Sequence, residues 1–112
     1  MPFFFDAFPQ GQMAEPRWLS YAQAHAWEAE AKAHDVSQVA RSARGFMRAY
    51  EKHGTAAAMR RAPHPSHDHS WARERVNFVH RHMKQYVKHP TYRRWLALLM
   101  WAYRPPGRIP EE

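Results

Sequence analysis

The sequence predicts an all-α protein: a compact bundle of four to five helices with an extended N-terminal arm and an irregular, proline-rich C-terminal tail. Three observations carry that expectation. Apolar residues recur at three- and four-residue steps over long stretches, no stretch alternates apolar and polar residues as a half-buried strand would, and the prolines gather between the periodic stretches. With 112 residues, 45% of them apolar, and five Trp, six Phe and five Tyr, the chain is expected to fold as one domain over residues 1–112.

Residues 1–15 hold Phe3, Phe4, Phe5 and Phe8 among prolines, with no helical or strand period, and read as an aromatic arm. Four exposed phenylalanines form a costly patch, so the arm packs across the domain or docks on a second chain, which leaves a homodimer open. Pro16 suits a first helical position, and the Ala-rich run from Arg17 to Ala33 predicts helix one, with Trp18, Tyr21, Ala22, His25 and Ala29 facing inward. Asp35 is then placed to cap a second helix over 36–53, whose apolar residues Val36, Val39, Ala40, Ala43, Phe46, Met47 and Tyr50 share an arc of about 120°. Gly45 interrupts it at a propensity cost of about 1 kcal/mol, so a break near residues 42–45 is an alternative to one bent helix. The same letters resemble a helix-turn-helix, with the glycine one position late for the usual turn.

Gly54 supplies a left-handed end to that element, and Thr55 caps a short helix reaching Ala62. Residues 62–69, Ala-Pro-His-Pro-Ser-His-Asp-His, predict an irregular His/Pro loop, because two prolines remove donors and restrict their neighbours. Asp68 or Ser70 caps a long helix that Pro90 stops, with Ala72, Val76, Val79, Met83, Tyr86 and Val87 as its seam. Thr91 caps a last helix over 92–103, apolar on nearly all sides and therefore expected at the centre of the fold, with Tyr92, Trp95, Trp101 and Tyr103 as core. Residues 104–112 form the tail.

Charge is unevenly distributed. Residues 1–35 carry five carboxylates against two cations, whereas residues 36–110 carry fifteen cations against three carboxylates, within a net charge of +7. On the 36–53 helix Arg41, Arg44, Arg48 and Lys52 share about 80° of arc, and on the long helix Arg73, Asn77, His80, Arg81, Lys84 and Lys88 share about 100°. Thirteen Arg against four Lys also fits a base-composition bias, so only sorting into stripes argues for a partner. Like charges at i, i+4 destabilise a helix, and phosphate polymers reward such stripes through counterion release.

The expected function is therefore a non-enzymatic protein that associates with nucleic acid, DNA or RNA, through Arg41, Arg44, Arg48, Lys52, Arg73, Arg81, Lys84 and Lys88, helped by Arg60 and Arg61. The alternative is a protein-binding adaptor or inhibitor of phage or plasmid type, docking its basic face or Phe arm on an acidic protein. A third reading is a metal binder built on His64, His67 and His69, weakened because zinc normally takes more ligands, held on rigid supports. No cofactor is expected, and His25, His82 and His89 read as core-edge hydrogen-bonding residues. The glycines at 11, 45, 54 and 107 form no phosphate-cradling motif, and no nucleophile or metalloprotease signature occurs. The absence of Cys, of a signal-peptide pattern and of an apolar run approaching twenty residues predicts a cytoplasmic protein without a membrane span.

Overall fold

A computed structural model of the chain describes residues 15–112, so the aromatic arm over residues 1–14 lies outside the described residues. Seven helical segments follow in order: α1 (Tyr21–His25), α2 (Glu28–Ala33), α3 (Gln38–Arg41), α4 (Phe46–His53), α5 (Ala56–Arg61), α6 (Trp71–Lys88) and α7 (Tyr92–Leu99). Five of them are six residues or longer. Among the described residues the extended pairing is a single isolated bridge, Pro63 with Ser70, and the all-α expectation holds. None of these helices is long and apolar enough to cross a membrane.

The first predicted helix is divided, and it starts later than Pro16. Residues 15–20 lie outside any helix, and Ser20, itself extended, opens α1 with a full capping box: its hydroxyl accepts from Gln23 N while the Gln23 side chain accepts from Ser20 N. A turn at Ala26 and Trp27 then re-aims the chain into α2. Asp35 is not an N-cap. It takes a left-handed backbone (φ 56°) as the residue past the end of α2, where Val36 N bonds Ala31 O and Asp35 N bonds Lys32 O, closing a Schellman motif.

The second predicted helix is likewise broken, at residues 42–45. Gly45 is the N-cap of α4 and packs so closely under α3 that a Cβ on it would lie 2.1 Å from Val39 O and 2.5 Å from Ala40 O. The break resets the helical phase. Val39, placed by a continuous helix in the core, is 79% exposed, and Ala43 is exposed as well, whereas Val36, Ala40, Phe46, Met47 and Tyr50 are buried as expected. The helix-turn-helix lettering thus resolves into a single turn, α3, followed by the eight-residue α4. Gly54 ends α4 at φ 88° as the sequence predicts.

Thr55, Ser70 and Thr91 each cap the helix that follows, their hydroxyls accepting from Ala58 N, Arg73 N and Arg94 N. Replacing Ser70 by alanine leaves one of the orphan amides of α6 to solvent, with an expected loss of about 1 kcal/mol in urea denaturation. The 62–69 loop is more ordered than its composition suggests: His64 N bonds His69 O at 3.0 Å and Trp71 N bonds Ala62 O at 2.9 Å, pinching its neck. Helix α7 is the hydrophobic centre, with Trp95, Leu96 and Leu98 fully buried, and it packs against α6 and α2. It ends four residues earlier than predicted, in a second Schellman motif with Ala102 left-handed (φ 58°). Phe46, Phe78 and Trp101 stack at 4.6–4.7 Å between centroids, and Tyr92 donates to Glu30 at 2.6 Å, tying α7 to α2. The tail is irregular, and Ile109 packs back on the core.

Arg75 is the buried charge of the core, with no exposed surface. Its Nε donates to Trp101 O (2.7 Å), one terminal nitrogen to Pro16 O (2.8 Å), and the other to Arg17 O (2.7 Å) and Ala102 O (2.9 Å). The guanidinium lies 4.0 Å from the centroid of the Trp18 ring. Burial draws its pKa down to about 10, well above neutrality, so it remains a cation. One arginine on α6 therefore fastens the 16–18 strap and the end of α7 to each other. Leu19 N, which donates to Ala102 O at 2.7 Å, adds a direct tie between the same segments.

Candidate nucleic-acid interface

Helix α6 carries the most continuous cationic face. Its inner side buries Trp71, Ala72, Arg75, Val76, Val79 and Tyr86, and its outer side exposes Arg73, Arg81, Lys84 and Lys88, with Asn77 and His80 half-buried between them. Val87, assigned to the inner seam by its position, is 72% exposed beside Lys84 and Lys88. Among the described residues none of those four cations has an ion-pair partner. The acid of α6, Glu74, turns instead toward the histidine loop, with Oε1 2.7 Å from His69 Nε2 and 3.9 Å from His67 Nε2. From Arg73 to Lys88 the face runs about 22 Å at 1.5 Å per residue.

The second predicted stripe does not survive as a stripe. Because α3 and α4 are separate segments, Arg41 no longer shares a face with Arg48 and Lys52, and its Nε is spent on Val36 O at 2.7 Å. Arg48 grips both oxygens of Glu28 at 2.6 Å and has Glu51 at 3.5 Å, so a carboxylate from the acidic first third neutralises it. Arg60 is neutralised in the same way by Glu15, through bonds of 2.6–3.0 Å that hold the Glu15 carboxyl below its usual range. Arg44, Lys52 and Arg61 stay exposed.

Arg44 and Lys52, with Arg48 and His53, form one wall of a surface groove of about 310 Å³ whose other wall is Pro63, Pro65 and the edge of Trp71. The groove places Arg44 and Lys52 beside the N-terminal end of α6, a juxtaposition the sequence did not foreshadow because it depends on the path of the 62–69 loop.

The loop histidines cluster, with His67 and His69 stacked and His64 tilted against them. Ring centroids lie 4.3 Å apart for His64 and His67 and 5.2 Å apart for His67 and His69, and His64 also sits 4.3 Å from Trp71. Burial, and then the neighbouring imidazoles, push the His64 pKa down. Of the histidines assigned to the core edge, His25 reaches Glu28 at 2.7 Å, His82 stacks on Phe78 at 3.9 Å, and His89 is exposed at the end of α6. No family model, curated protein or solved structure matches this chain.

Proposed function

We propose that this is a non-enzymatic protein that associates with nucleic acid through the outer face of α6, with Arg73, Arg81, Lys84 and Lys88 contacting phosphates. The observation that carries the reading is the contrast between cations. Arg48 and Arg60 are matched with carboxylates and Arg75 with carbonyls, while the α6 four are left without acid partners among the described residues. A straight row of exposed guanidinium and ammonium groups binds a polyanion by releasing its counterions, without requiring base contacts. Arg44 and Lys52 in the groove extend the same field toward the start of α6.

Fluorescence anisotropy with a labelled duplex and a labelled single strand tests this. Four phosphate contacts predict duplex affinity that weakens about a hundredfold between 50 and 200 mM salt. The triple variant R73E/R81E/K84E is expected to lose binding with unchanged helicity and melting; wild-type affinity in that variant would refute the reading. An acidic protein surface is the second reading, favoured by Val87, an exposed apolar contact inside the cationic face. It predicts weak binding to both nucleic-acid probes at every salt concentration.

A further inference from the structure

We propose that His64, His67 and Glu74 bind a divalent transition-metal ion of the zinc class, with His69 as the residue that orients the Glu74 carboxylate. The inference is independent of the nucleic-acid reading. On sequence alone the loop histidines lack two things, a sufficient ligand set and a rigid support. The fold supplies both.

The additional ligand is Glu74, five residues beyond His69, on the first turn of α6. One nitrogen from each of His64 and His67 and one Glu74 oxygen all lie within 4.8 Å of one another. Bonds of about 2.0–2.1 Å around a tetrahedral ion set ligand atoms about 3.4 Å apart, so closing the site takes shifts of about an ångström in half-exposed side chains. Two imidazoles and a carboxylate leave the fourth position to water. The site is also accessible: the His67 side chain is 49% exposed and Glu74 24%.

The support comes from both ends of the loop. Its neck is closed by the Pro63–Ser70 bridge, the His64 N to His69 O bond and the Trp71 N to Ala62 O bond. Ser70 fixes the first turn of α6 and with it Glu74, and the His64 ring rests on Trp71. His69 Nε2 at 2.7 Å from Glu74 Oε1 is the kind of outer contact that holds a ligating carboxylate in place. In a chain with seventeen Lys and Arg, this carboxylate is surrounded by imidazoles rather than matched with a fixed cation.

One bond has to yield. Ser66 N donates to His64 Nδ1 at 2.9 Å. A metal on Nδ1 replaces that donor directly, and a metal on Nε2 moves the ring proton to Nδ1, which displaces it equally. Ser66 is exposed, so water takes over the amide. The Ser66 amide is therefore a reporter that a merely structural histidine cluster would not move.

The test is calorimetric titration of the full chain with zinc chloride, repeated with cobalt(II) for its visible spectrum and followed by amide NMR. A second triad, Glu30, His34 and Glu112, offers one imidazole only, and Glu30 already accepts from Tyr92, so H34A serves as the control. The expected result is one ion per chain, affinity at least tenfold weaker in H67A and in E74Q and unchanged in H34A, intense low-coordinate cobalt absorption, and a shifted Ser66 resonance. Absence of saturable binding, wild-type affinity in H67A and E74Q, or loss in H34A instead would each overturn the proposal.

Discussion

Replacing Arg75 by methionine is expected to cost about 3–5 kcal/mol of folding free energy and to lower the melting temperature by at least about 12 °C. Methionine fills similar space, and exchanging buried ionic groups for apolar ones is sometimes neutral, but only when every polar partner is exchanged with them. Here the partners are main-chain carbonyls of Pro16, Arg17, Trp101 and Ala102, which no substitution removes. Ala102 O keeps Leu19 N, whereas Trp101 O is stranded in the core at about 1–3 kcal/mol. Lysine in the same place retains the charge but offers three donors from one point, too compact to span carbonyls on two separate segments; about half of the loss is expected. Urea denaturation of both variants measures this, and a methionine variant with the wild-type midpoint would show that the guanidinium cage contributes nothing net.

The second large effect is at Gly45, where helix propensity and packing predict opposite signs. In a continuous helix over 36–53, alanine would stabilise by about 1 kcal/mol. In the folded chain the added methyl meets Val39 O at 2.1 Å, Ala40 O at 2.5 Å and Ala40 C at 2.7 Å, all of them main-chain atoms that move only if α3 moves. A loss of about 2–4 kcal/mol is expected for Gly45→Ala, beyond the usual range for an inserted methylene because rotamer changes cannot relieve it. Its backbone (φ −89°, ψ 179°) is open to any residue, so the requirement is for space and not for conformation. An equilibrium unfolding curve shifted to higher denaturant would instead restore the single-helix picture.

Much of this fold is legible in the letters, and where the structure departs from them the causes are physical. Helix α6 matches its sequence signals to within a residue because a Ser cap, a Pro stop and an eighteen-residue period agree, which is how a consistent local code looks. The stripe from Arg41 to Lys52 requires one helical wheel across Gly45; the four-residue break changes the phase between α3 and α4, so Arg41 and Val39 do not lie on the faces a continuous helix would give them. The start of α1 is signalled in the sequence itself, since Ser20-Tyr-Ala-Gln23 spells a capping box more specifically than Pro16 marks a first turn. Arg75 also had a trace: on the wheel of α6 it stands about 20° from the inward-facing Tyr86, on the side opposite Arg73 and Lys84. What periodicity could not convey is how the acids of the first third find Arg48 and Arg60, or how Glu74 comes under the histidine loop, because those contacts depend on chain paths between elements.

The cage around Arg75 also constrains the order in which the chain is made into a protein. Its acceptors lie 58 and 59 positions before it and 26 and 27 after it. A chain that ends before Trp101 and Ala102 has only half of these acceptors to offer the guanidinium, which then keeps its water. Closure of the cage therefore requires Trp101 and Ala102, so the long-range contacts that unite the first and last segments form together rather than helix by helix.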